Sequence, residues 1–238
     1  MVWLPRWGCD GMITSAQKMI MARAGVKPAN FPVIETTSTH VSTSSTSHSV
    51  TLPSGIVSGD FLLAFYSADG LGVISEPSGW TLDFKGKNNG QSAGFGYFYR
   101  VADGGEGSSV TVSMGVSESL SVVVLRISGA SGSIDDSVAN ISSQNTSPDA
   151  SSLTPSWGSA ANLWLVSYHV ANGNARLSTA PVNYAITAAT ENGNIGMSNT
   201  ETAVVFRERA AATEDPATAT LDDSYQCSMI TVAIEPST

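Results

Sequence analysis

Short apolar runs, rich in Val, Ile, Phe, Tyr and Thr and broken at close intervals by Gly, Asn, Asp and Pro, limit this chain more than any other feature. They are Phe61–Tyr66, Trp80–Phe84, Phe95–Val101, Val110–Met114, Ser121–Ile127, Leu163–Val170, Thr202–Phe206 and Cys227–Ile234. Such runs suit strands whose side chains alternate between two faces. No ten-residue helical periodicity separates them, which removes parallel α/β folds. Only 13% of the residues are charged, too few to solvate the outer faces of a helical bundle. An all-β fold is expected: a two-sheet antiparallel sandwich, jelly-roll-like, with a partly helical N-terminal arm. No repeat of fixed period is apparent, so propellers and β-helices are not expected.

Three segments are expected along the chain. Residues 1–35 form an arm, 36–49 a Ser/Thr-rich tract and 50–238 the sandwich domain. In the arm, Ile13–Ala24 lacks Pro and Gly, has Thr14 and Ser15 as possible caps and stops at Gly25, so a helix is expected there. The first 27 residues of the arm are basic, with Arg6, Lys18, Arg23 and Lys27 against Asp10 alone, on a chain whose net charge is −9. Its apolar side chains, Trp3, Leu4, Trp7, Met12, Ile13, Met19 and Ile20, are poorly suited to water and are the expected anchors on a partner. The 36–49 tract reads either as a flexible or extended linker or as an edge strand.

Acidity predicts no nucleic-acid partner, because phosphate neutralisation needs clustered Lys and Arg. The arm's cations are too few and too spread for a membrane anchor. The first ten residues lack the pattern of a secretory leader, so cytoplasmic synthesis is expected. Cys9 and Cys227 are expected to be free thiols, although one long-range bridge stays open.

Catalytic chemistry is not expected. His40 and His48 lie in the polar tract and read as solvated, and His169 reads as an exposed or pocket-wall residue on a strand face opposite Trp164, Val166, Tyr168 and Val170. Gly129-Ala-Ser-Gly-Ser133 lacks the context of a nucleophile elbow. The pairs Asp135-Asp136 and Asp222-Asp223 read as loop carboxylates rather than glycosidase acids, with calcium a minor alternative. No metal, cofactor or catalytic residue is assigned. Trp157, Tyr168 and His169 are candidate glycan-facing residues, although aromatics at strand spacing are more often core.

Several phrases carry a resemblance: Leu52-Pro-Ser-Gly-Ile-Val-Ser-Gly-Asp-Phe-Leu-Leu-Ala-Phe65, Glu76-Pro-Ser-Gly-Trp-Thr81, Tyr97-Phe-Tyr-Arg-Val-Ala-Asp103, Val122-Val-Val-Leu-Arg-Ile-Ser-Gly-Ala130, Asp215-Pro-Ala-Thr-Ala-Thr220 and Ile230-Thr-Val-Ala-Ile-Glu-Pro236. Over residues 50–236 the chain resembles β-sandwich structural proteins encoded among the head and tail genes of tailed bacteriophages. The resemblance implies a virion component, a surface decoration, cement or fibre-type subunit. Its implied partner is the major capsid or tail protein of the same particle, and the subunit is expected to be a homo-oligomer, with a trimer as the first guess. The alternative is a glycan- or host-surface-binding module on a tail appendage.

Overall fold

In the computed structural model, residues 30–70, 74–87, 94–171, 175–191 and 200–238 are described. The helix expected over 13–24, the seven arm anchors and Cys9 lie outside them. Among the described residues the secondary structure is all β: β1 (Val33–Thr51), β2 (Phe61–Ala68), β3 (Thr81–Lys87), β4 (Gly94–Val101), β5 (Ser109–Ser128), β6 (Ala130–Asn145), β7 (Ala160–Ala171), β8 (Leu177–Thr179), β9 (Ala185–Glu191), β10 (Thr200–Ala211), β11 (Thr220–Leu221) and β12 (Tyr225–Pro236).

Two five-stranded sheets form, ordered β1-β5-β2-β4-β3 and β6-β12-β7-β10-β9, with β8 and β11 paired in a small third sheet. All of their pairings are antiparallel. The 36–49 tract lies inside β1, which pairs with β5 from Val33 to Thr51, so the first sheet begins well before residue 50. Winding corrects the jelly-roll expectation. A jelly roll alternates its strands between sheets, whereas here one half of the chain builds each sheet and the crossing falls at Gly129, whose φ is 69°.

The two halves share one topology. In each, the first strand pairs with the last, then follow the second, fourth and third, once β8 and β11 are set aside. Register fixes residue equivalences. Phe61 lies between Ile127 and Val101, and Leu163 between Ile234 and Glu208. Arg100 of β4 therefore corresponds to Arg207 of β10, and each reaches a buried carboxylate a few residues on, Glu106 and Glu214. Pro77-Ser-Gly-Trp80 corresponds to Pro181-Val-Asn-Tyr184. In both turns the backbone N–H of the aromatic residue donates to the Pro carbonyl at 3.0 Å. Gly79 has φ 78° and Asn183 φ 69°, the left-handed region that Gly enters freely and Asn tolerates. This is a duplicated architecture where no repeat was expected. The halves keep periodicity and a few turn and ion-pair residues but little identity, so a search for a fixed sequence period does not find it.

Three apolar layers follow. Between the sheets pack Phe61, Leu63, Phe65, Phe95, Tyr97, Val123, Leu125 and Ile127 against Leu163, Leu165, Val204, Ile230, Val232 and Ile234. The outer face of the first sheet, with Leu62, Tyr66 and Phe98, is covered by Val50, Leu52, Val112, Met114 and Trp80. That cover exists because the long β1–β5 ribbon curls back, helped by register shifts at Ser42/Ser45 and Ser45/Ser47. The outer face of the second sheet, with Trp164, Val166 and Tyr168, is covered by Leu153, Leu177, Tyr184 and Leu221. β2 and β7 face each other across the middle, β1 faces β9, and β5 faces β10. Lys85 of β3 meets Asp136 of β6 at the other side. The halves are thus related by an approximate two-fold passing between β2 and β7.

Candidate functional site

The polar chemistry concentrates in the layer between the sheets. At its centre equivalent residues of the two halves meet, since Ser67 and His169 occupy matching positions in β2 and β7. Ser67 Oγ lies 3.0 Å from His169 Nδ1, and it donates to the Glu201 carbonyl at 2.7 Å. His169 Nε2 lies 2.8 Å from Ser167 Oγ. Thr202 Oγ1 joins Ser67 at 2.8 Å and Ser121 at 2.9 Å. Each ring nitrogen of His169 thus lies within hydrogen-bond distance of a serine hydroxyl, Nδ1 of Ser67 and Nε2 of Ser167. Burial pushes the His169 pKa down to about 3, so the ring is neutral.

A serine hydroxyl beside an imidazole is the donor set of acyl transfer, but that chemistry needs the hydroxyl open to substrate and its proton directed at the base. Ser67 and His169 are 1% and 2% exposed, and the Ser67 proton points at a carbonyl. The arrangement latches β2, β5, β7 and β10 together. His169 is therefore sealed in the core rather than exposed or lining a pocket. It does leave its strand opposite Trp164 and Tyr168, but that face is the inter-sheet layer.

A second cluster closes the side where β3 and β6 run past each other. Lys85 Nζ lies 2.7 Å from Asp83 Oδ2 and 2.7 Å from Asp136 Oδ2. The Tyr97 hydroxyl shares its one proton with the same two carboxylates, lying 2.6 Å from Asp136 Oδ2 and 3.0 Å from Asp83 Oδ2. The neighbouring Asp135 accepts from the Ser156 N–H. In the second half, Glu214 is wholly buried, receiving Arg207 at 2.8 Å, Arg209 at 2.7 Å and the Tyr184 hydroxyl at 3.2 Å. In the first, buried Asp60 receives Arg126 at 2.6 Å and the Val57 N–H at 2.9 Å. Of the members of these three clusters only Asp136 was singled out from the sequence, with Asp135, and the loop-carboxylate expectation is corrected because both stand in strand β6. Each cluster joins neighbours in sequence to a distant member, Asp136 to Tyr97, Arg126 to Asp60 and Tyr184 to Glu214, which only the fold brings close.

The other candidates fall elsewhere. Trp157 is half-buried with its Nε1 donating to Asn162 at 2.9 Å, Tyr168 is buried on the outer face of the second sheet, and His169 points to the inner one. The three therefore share no surface, and the glycan-facing set is corrected on that ground. His48 is 2% exposed rather than solvated; its Nδ1 meets Ser42 Oγ at 2.5 Å and its Nε2 the Ser45 carbonyl at 3.0 Å. His40 is half-buried beside it, ring centroids 6.3 Å apart. Burial lowers the pKa of both rings. Asp222 accepts from the Arg176 N–H and Asp223 from the Ser224 N–H, as loop carboxylates do. Cys227 is a fully buried thiol, its pKa pushed up to about 12 by burial. Glu201 is 6% exposed. One oxygen accepts from the Leu177 N–H at 3.2 Å, the other accepts no hydrogen bond among the described residues, and burial pushes its pKa up to about 7.

Among the described residues no group of His, Cys, Asp and Glu has metal-binding geometry, and no helix is long and apolar enough to cross a membrane. Comparison with family models, with curated proteins and with solved structures finds no match.

Proposed function

We propose that the chain is a structural subunit of a tailed-bacteriophage virion, of surface-decoration, cement or fibre type, held on the particle by its N-terminal arm. The observation that supports this reading is what the buried polar side chains bind. His169, Asp136, Tyr97, Glu214 and Asp60 each tie one strand to another strand, a loop or the opposite sheet. A fold that commits its ionisable groups to fastening is built for rigidity, as a particle component must be. The phrases that resemble phage sandwich proteins support the same reading, and the basic apolar arm supplies anchors in Trp3, Trp7 and Met12 for the major capsid or tail protein.

The test is incorporation. Particles assembled with the full chain should show it in electron density maps, and particles assembled with residues 1–29 deleted should lack it. Circular dichroism of the deleted form should still report a folded β body. Unimpaired incorporation of a folded, armless chain overturns the proposal.

A further inference from the structure

The approximate two-fold gives this sandwich two lateral sides that ought to match, and they do not. One, β3 against β6, is closed by Asp83, Lys85, Tyr97 and Asp136. Register places Ala188, Val204 and Thr37 at the positions equivalent to Asp83, Tyr97 and Asp136 on the other, β1 against β9. None of these three residues can form an ion pair, and Thr37, Thr39 and Val41 of β1 stand exposed. We propose that two copies of the chain pair edge to edge through β1, antiparallel, over Thr37–Val41.

A free strand edge is a template for another strand unless it is guarded by charge, a bulge, Pro or shortness. Among the described residues, three of the four edges of the two large sheets are guarded. β3 carries Asp83, Lys85 and a bulge at Phe84/Gly86. β6 carries Asp135 and Asp136. β9 spans seven residues and bulges between Ile186 and Ala188. β1 spans 19 residues without Lys, Arg or Pro, and Glu35 is its one charge. Its pairing with β5 runs without a shift from Thr36 to Ser42, so this stretch is a straight edge.

Charge also selects the occupant. Each copy carries −9, so two copies repel wherever acidic edges would face. The Thr37–Val41 run is neutral and self-complementary: in an antiparallel pair centred on Thr39, Thr37 meets Val41 and Ser38 meets His40. β-Branched pairs across strands are favourable, and the contact is isologous, so it closes as a dimer. This inference stands independently of the virion reading.

Sedimentation velocity of the full chain over a dilution series tests it. A monomer–dimer equilibrium is expected, and Thr37→Lys with Val41→Lys, which sets Lys opposite Lys, should weaken it about tenfold. Thr37→Glu with Val41→Glu should weaken it likewise, and mixing the Lys and Glu forms should restore association. Amides 37–41 of the unmodified chain should exchange more slowly with deuterium at high than at low concentration, a reading that holds even if a variant fails to fold. A chain that stays monomeric, a larger oligomer with unchanged exchange over 37–41, or Lys and Glu forms that associate alone as well as mixed would each overturn the proposal.

Discussion

Glu201 and His169 sit at adjacent registers of β10 and β7 and respond to pH in opposite senses. Burial raises the Glu201 pKa from 4.5 to about 7. The folded state therefore holds the proton more tightly, and the stability associated with it is fully present below the unfolded value and lost as pH rises toward 7. A shift of that size corresponds to about 3 kcal/mol. Glu201→Gln should remove this loss, raising the denaturation midpoint at pH 8 while leaving it unchanged near pH 4 (about those values). Urea melts at the two pH values check the prediction. His169 is lowered from 6.5 to about 3, so its stability is present above the unfolded value and lost as pH falls toward 3. A second residue-scale expectation concerns Asn183, whose φ is 69°. Asn183→Gly should be neutral or slightly stabilising, whereas Asn183→Ala should cost about 1 kcal/mol, read from thermal melts.

At the scale of elements, β4 and β10 play one part in two settings. Arg100 reaches Glu106 at 3.1 Å and also the exposed Asp103, while Arg207 and Arg209 share the wholly buried Glu214. Removing the charge of Glu214 leaves two guanidinium groups over a buried amide. Glu214→Gln should therefore cost about 3 kcal/mol, and Glu106→Gln clearly less, in denaturant titrations of the two variants. The strands themselves were legible in the sequence where alternating or continuous apolar runs meet a turn residue, as in β2 between Asp60 and Asp69. β1 was ambiguous because Ser and Thr serve a linker and a hydroxyl-lined strand equally well. Its side chains turn to the curled ribbon, with Thr36 bonding the Ser54 carbonyl and Ser38 the Thr51 carbonyl. The same curl buries His48, which no local pattern announces. Tyr97 and Asp136 are 39 positions apart, and nothing in either neighbourhood signals that they share a proton and a cation.

For the whole molecule, the duplication decides what can fold alone. The inter-sheet layer takes Phe61, Leu63, Phe65, Phe95, Tyr97, Val123, Leu125 and Ile127 from one half and Leu163, Leu165, Val204, Ile230, Val232 and Ile234 from the other. Either half by itself would expose one complete apolar face, far more than a soluble surface carries. The central latch is shared as well, since Ser67 and Ser121 come from the first half and His169 and Thr202 from the second. The outer layers, by contrast, are each completed within one half. Unfolding of the full chain should then be a single cooperative transition, with calorimetric and van't Hoff enthalpies equal. Residues 30–129 and 130–238 expressed separately should each lack a cooperative melt as monomers. Mixed, they should recover one at the temperature of a full chain nicked near Gly129. Either fragment melting cooperatively as a monomer would show that the inter-sheet layer is dispensable and that the two sheets are independent domains. The approximate two-fold adds a sharper form of the test: a fragment that does fold alone should do so as a homodimer, its sheet facing a copy of itself where the other half normally packs.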